Sequence, residues 1–362
     1  MPAENAYTPI SADDVGEHRG RWGVNHAVIP DRERLRSGLV RRIAVATGLT
    51  TAVVAGALAS AAPSPSGATP GGSAAQRDHG VEVTTLLTFD ETRGETPENI
   101  TLDRDGNVYL TLLLAHVVVR LDARGHVDRV VLPGALAAGI AIDPLCPDRL
   151  TVAVSSPDSA LAGLWTVPFA AFTGRATPSR VVALPPEGFP NGITYDRDGN
   201  LYVADSTLGR IWRVSHDSDA ATIWLADPAL APTGAELGGV VVPGANGVKI
   251  ARGRIWVSNS STSTLLSAPI ARDGSPGALS LAFDNLFAID DFQITQRGEI
   301  IAALNFADQV VSISPDGQIR VLEDAAAGAR NPTAVALSGD GDIYVTNGAF
   351  FSAGAKLQLI ER

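Results

Sequence analysis

The stretch "NGITYDRDGNLYVAD", residues 191–205, decides how this chain folds. An apolar run that alternates breaks at Asp196–Gly199 and resumes as a second alternating run. Period-two alternation on both sides of a Gly-containing turn is the pattern of a β-hairpin. The phrase recurs as "ENITLDRDGNVYLTL" from Glu98, "NGVKIARGRIWVSN" from Asn246, "DDFQITQRGEIIAAL" from Asp290 and "TAVALSGDGDIYVTN" from Thr333. A looser copy, "AGIAIDPLCPDRLTVAV", starts at Ala138. The six starts lie 40 to 55 residues apart, with a mean of 47. Third apolar runs follow most copies, among them "HVVVRLD" (116–122) and "GRIWRVS" (209–215), and a fourth lies beyond them. Four strands in a repeat of this length make a propeller blade. Six units use the chain from Glu98 to Arg362 and leave over "VEVTTLLTF" (81–89), which is expected to pair with the last unit and close the ring. The expected fold is an all-β, six-bladed β-propeller over residues 81–362. A β-sandwich would not produce a repeated four-strand unit.

Composition agrees. With 36 Gly, 23 Pro and only 6% aromatic residues, the chain is rich in turns and short β-branched runs. A formal net charge of −11 argues against a nucleic-acid partner. The single cysteine, Cys146, rules out an intrachain disulfide or a thiolate metal cluster.

Ahead of the repeats, residues 1–42 are polar and carry an Arg cluster ending at Arg41 and Arg42. Residues 43–62, "IAVATGLTTAVVAGALASAA", hold no charge, and residues 63–80 read as a flexible Pro/Gly/Ser-rich linker. Basic flank, apolar stretch and small residues together predict an export signal peptide or a single-pass membrane-anchor helix. Either one places the propeller outside the cytoplasm, secreted or held on the outer face of the membrane. The expected protein is a monomer.

The first strand of each blade lines the central channel, so the residue opening each repeat belongs at the channel mouth. Glu98, Asn191, Asp290 and Thr333 each lie eight residues before the turn Gly, and Asn246 lies seven before Gly253. The ring reads Glu98, Ala138, Asn191, Asn246, Asp290 and Thr333, with Asp291 adjacent. Asn-Gly at 191–192 and 246–247 is also ordinary turn chemistry, so it is the shared phase that points to a site. Oxygen ligands without His or Cys select a hard divalent cation, best calcium. The expected metal set is Glu98, Asn191, Asn246, Asp290 and Asp291. The "DRDG" turns at 103–106 and 196–199 lack the glutamate of a calcium loop and are expected to be hairpin turns. Asp205, Asn259, Asn305 and Asn347 follow second strands and emerge on the face of the mouth; with His116 and Thr333 they are the candidate substrate contacts.

On "PEN" at Glu98, "PNGI" at Asn191, "ANGV" at Asn246 and "IDDF" at Asp290–Asp291, the chain resembles the gluconolactonase–regucalcin–paraoxonase family of six-bladed propellers (the senescence-marker-protein type) over roughly residues 82–362. The resemblance implies a catalytic divalent ion held by Glu98, Asn191, Asn246 and Asp290, joined by Asp291 in paraoxonase-like members. It also implies hydrolysis of lactones or esters. Asp290 or Asp291 would serve as general base on water, beside a cation that polarises the carbonyl. Ala138 departs from the family, whose second-blade mouth position is polar. Two other readings remain open: a non-catalytic, calcium-stabilised binding or scaffold propeller, and a lyase or condensing enzyme of the strictosidine-synthase type.

Overall fold

Alternating apolar side chains and tight Gly turns build six four-stranded antiparallel sheets. The computed structural model describes residues 82–362 except Ala135. The expectations for residues 1–42, 43–62 and 63–80 lie outside the described residues.

From the channel outward, blade 1 comprises Pro97–Leu102, Val108–Leu112, Val117–Leu121 and Val127–Val131. Blade 2 runs from Leu136 to Ala183, blade 3 from Pro190 to Ala226, blade 4 from Ala245 to Phe283 and blade 5 from Ile289 to Glu323. Blade 6 takes three strands from Pro332–Leu337, Ile343–Asn347 and Lys356–Glu361. Its outermost strand is Glu82–Thr88, which pairs antiparallel with Lys356–Glu361 from Glu82↔Glu361 to Thr88↔Lys356. The closure expected for residues 81–89 is therefore present.

A blade is apolar on both faces because each face meets a neighbour. Hydrophobic clusters fill the gaps in turn. Leu110, Val119 and Leu357 pack between blades 1 and 6, and Tyr109, Val118 and Val152 between blades 1 and 2. Similar clusters occupy the remaining gaps round to Ile301, Val310 and Val345 between blades 5 and 6.

The hairpin turns are locally determined. Asp103 accepts from the backbone N–H of Asp105 and Asn107, from the Asn107 amide and from the Tyr109 hydroxyl. Asp196 does the same with Asp198 and Asn200. Gly106 and Gly199 take φ of 80° and 81°, which a Cβ disfavours. Both "DRDG" segments are hairpin turns, as expected.

Every innermost strand carries a β-bulge at its mouth end, where register shifts across Pro97/Ile100, Ala137/Ile140, Pro190/Ile193, Ala245/Val248, Ile289/Phe292 and Pro332/Ala334. Asn191-Gly192 and Asn246-Gly247 are thus bulges rather than turns. Their glycines have a steric reason: a Cβ on Gly139 would overlap the Asn191 carbonyl, and one on Gly192 would press on that of Asn246. Gly139→Ala is expected to destabilise the protein by roughly 1–3 kcal/mol through overpacking. Gly106→Ala, which meets nothing within 4 Å, should cost about 1 kcal/mol from its left-handed φ alone. Denaturant titration of both variants checks the order.

Glu323 is buried between blades 5 and 6 with neither carboxylate oxygen hydrogen-bonded. Burial pushes its carboxyl up from 4.5 to about 7, against the pull of Lys356 and the nearby Gln358 amide. A raised folded-state pKa stabilises below the unfolded value and loses that stabilisation as pH climbs to the folded value. Glu323→Gln should match the parent near pH 4 and exceed it by up to about 3 kcal/mol above pH 7, measured by urea unfolding across that range.

Candidate functional site

The bulges gather the first residues of the inner strands around the channel mouth. Glu98, Asn191, Asn246 and Asp290 are all buried there. Their positions are held by hydroxyls on the second strands. Thr111 accepts from the Asn99 N–H within its own bulge and donates to the Ala138 carbonyl of the next blade. Ser258 bridges Gly247 N–H and the Asp290 carbonyl, and Thr346 bridges Ala334 N–H and the Glu98 carbonyl. Each hydroxyl both satisfies a bulge and fixes a ring residue across a blade boundary. Sequence reading missed these residues; their signal is a lone Thr or Ser inside an apolar second strand, as in "YLTL", "WVSN" and "YVTN".

Two carboxylates share this buried space. Burial, then the Asp291 charge, pushes the Glu98 carboxyl up to about 8, opposed by the neighbouring Asn191 amide. Burial, then the Glu98 charge, raises that of Asp290, opposed by the Asn305 and Asn246 amides. Asn305 Nδ2 donates to Asp290 Oδ2 at 2.9 Å, and Asn246 Nδ2 to Ser260 Oγ at 3.0 Å. Glu98 Oε2, both Asn191 amide atoms and Asn305 Oδ1 are buried without a hydrogen-bond partner. Such atoms each cost about 1–3 kcal/mol unless something satisfies them. A hard cation would do so, and would also separate the two carboxylates. Among the described residues no three His, Cys, Asp or Glu side chains form a metal-sized group. The donor set is therefore two carboxylates plus amides.

Asp291 differs from expectation. Its Oδ1 and Oδ2 accept from Lys249 Nζ at 2.6 and 2.7 Å, and Oδ1 also accepts from Phe292 N–H. Three of its lone-pair sites are thus engaged by Lys249 and the backbone, an ion pair that the sequence did not announce. Ala138 is fully buried and adds no polar group to the ring.

Most of the expected substrate contacts serve the scaffold. Asp205 accepts from Phe189, Thr207 and Leu208 N–H and from Trp212 Nε1. Asn259 ties Ala229 and Ala231 carbonyls to the Ser261–Thr262 turn. Asn347 joins Arg330 N–H to Gln358. The Thr333 hydroxyl lies within hydrogen-bond reach of the Pro97 carbonyl, at 3.2 Å, and of Thr346 Oγ1, at 2.8 Å, where blade 6 meets blade 1. His116 closes the loop between the second and third strands of blade 1 in a left-handed conformation; its carbonyl accepts from Leu132 N–H, and its Nδ1 is buried without a hydrogen-bond partner. Asn305 meets the ring through Asp290, and Thr333 is itself the ring position of blade 6.

Aromatic side chains border the mouth at blades 5 and 6. Phe306 meets Phe351 in a tilted pair with ring centroids 5.2 Å apart, and Phe351 meets Phe350 at 6.4 Å. The Phe350 ring packs on Gly348 beside Thr333. A hairpin of Glu236–Leu237 and Val240–Val241, between blades 3 and 4, reaches over the mouth face so that Gly238 lies against Phe351.

The two kinds of polar residue make a testable contrast. Asp205→Ala should lower stability by about 2 kcal/mol or more by orphaning four donors, with little effect on cation affinity. Asn305→Ala should do the reverse. Thermal melts with and without added calcium measure both.

No protein-family model matches the chain, and no curated protein sequence does. Solved structures are similar to it. The calcium-binding protein regucalcin from Agrobacterium tumefaciens has a TM-score of 0.57 at 18% identity, covering 76% of this chain and 92% of its own. A gluconolactonase from Xanthomonas campestris has 0.59 at 14%, covering 78% and 90%. An auxiliary nutrient binding protein from Bacteroides thetaiotaomicron has 0.58 at 10%, covering 78% and 76%. At these identities the likeness is one of fold: the chain is a six-bladed β-propeller of the architecture seen in regucalcin and gluconolactonase.

Proposed function

We propose that the chain is a divalent-cation-dependent hydrolase of lactones or esters, with its site at the channel mouth. One observation carries this reading: Glu98 and Asp290 are buried together among amide atoms that lack hydrogen-bond partners. Glu98, Asn191, Asn246 and Asp290 would hold the cation, with Asn305 beside them. Calcium suits an all-oxygen set of irregular geometry. When bound, such an ion supplies Lewis-acid polarisation of a carbonyl.

The remaining work falls to side chains. Asn305 fixes the Asp290 carboxylate through one oxygen, which leaves the other to orient a water and accept its proton. Asp290 would act by position more than by basicity. Asp291, engaged by Lys249, is not assigned this role. Phe306, Phe350 and Phe351 would receive the organic part of the substrate and exclude water. A ring lactone or ester with an apolar substituent fits this border better than a polyhydroxylated one.

Ala138 favours a second reading. The second blade offers no polar side chain to the ring, so the cation could serve only to bind and stabilise, as in a scaffold propeller. Export and monomeric state remain part of the proposal.

The test is hydrolysis of a lactone and ester panel, including an alkyl-substituted lactone and a sugar lactone. Turnover that disappears with a chelator and returns with calcium is expected. Asp290→Ala should lower kcat by about 100-fold or more. Activity indifferent to chelation would overturn the reading. A calcium-induced rise in Tm without turnover on any substrate would establish the scaffold alternative.

A further inference from the structure

Beside the ring lies an ion pair between Lys249 and Asp291. The residue following the ring position is Asn99, Gly139, Gly192 and Gly247 in blades 1 to 4 but Asp291 in blade 5. The residue three beyond the ring position is Thr101, Ala141, Thr194 and Gln293 in blades 1, 2, 3 and 5 but Lys249 in blade 4. In these five blades the two positions thus carry a single anion and a single cation, on neighbouring blades.

Their geometry is closely specified. The Asp291 side chain is 2% exposed and that of Lys249 14%. Both carboxylate oxygens accept from Nζ. Lys249 Nζ also lies 5.7 Å from the centroid of the Phe292 ring, within cation–π range. Gly247 makes the room: a Cβ there would overlap Asp291 Oδ1. Beyond the pair, a cavity of about 450 Å³ continues down the channel past Thr101, Thr194 and Gln293. Asp291 directly follows the ring residue Asp290 on the inner strand Ile289–Ile294, so its charge lies beside the ring. A third unpaired carboxylate so close would draw cations to the channel; an unpaired ammonium would repel them.

We propose that Lys249 is a built-in counter-cation that withdraws Asp291 from the ligand set, holding the charge of the ring at the two carboxylates Glu98 and Asp290 and thereby setting the affinity and number of divalent cations bound. This rests on the reading of the ring as a cation site.

Calcium titration calorimetry of the full chain tests it without recourse to activity. Lys249→Met exposes the Asp291 charge to the ring and should bind calcium about tenfold tighter, or take up a second ion. Asp291→Asn leaves the ammonium uncompensated and should bind about tenfold weaker. The double variant Lys249→Met/Asp291→Asn restores neutrality and should return to within about threefold of the parent. If Lys249→Met does not fold, weak binding by Asp291→Asn together with recovery in the double variant still supports the proposal. Single variants that both weaken binding, or both leave it unchanged, would show a purely structural pair and overturn the inference while the ring reading stands. A folded parent that binds no divalent cation would overturn the ring reading and this inference with it.

Discussion

Six strands that converge on one axis must bring their backbones into contact, and the hydroxyl bridges that manage this contact underlie the rest of the molecule. A bulge at the mouth end of each inner strand frees backbone groups from the ladder. Buried groups of that kind need partners. Thr111, Ser258 and Thr346 supply them, each serving one blade with its oxygen and the next with its hydrogen. Because the acceptors are carbonyls of ring positions, the same bonds that join the blades also place Glu98 and Asp290. Glycines at 139, 192 and 247 let the strands come that close.

Much of this was legible in the chain. Counting back from the turn glycines put Glu98, Asn191, Asn246 and Asp290 in one phase, and the structure brings those four together. The repeat also located the closing strand. Both succeed because a hairpin is a local object whose register is set by its own turn. What the sequence left open depends on the neighbouring blade. Nothing local distinguishes Asp290 from Asp291; the difference is Lys249, some forty residues earlier, and the space at Gly247. Asp205 and Asn305 occupy places one residue apart: Asp205 ends its second strand opposite Pro190, whereas Asn305 follows Leu304, the residue opposite Ile289. One is consumed by the Phe189 and Trp212 donors, whereas the other meets the Asp290 carboxylate. The Asn-Gly pairs would pass for turns in isolation and are bulges because of the strand beside them.

The channel therefore combines two strategies for buried charge. At the ring, carboxylates lie together with unsatisfied amides around them, a costly arrangement that a hard cation would relieve. Beside the ring, a carboxylate is matched by an ammonium on the adjacent blade. Glu323 shows a third state between blades 5 and 6, where burial favours the neutral acid. In the proposed reading the chemistry belongs to the ring, where two carboxylates lie close together among unsatisfied amide atoms.

The closing strand has a further consequence in time. Residues Glu82–Thr88 pair with Lys356–Glu361, the strand some 270 residues later, so the earliest segment of the propeller is used last. Contacts of such long sequence separation form slowly. Blades 1 to 5 can assemble as the chain emerges, each on the one before it. Through that interval blade 6 is incomplete and an apolar strand has no sheet to join, a condition that invites pairing with another chain. The pairing of the two ends is thus the step of longest sequence separation in the assembly of this propeller.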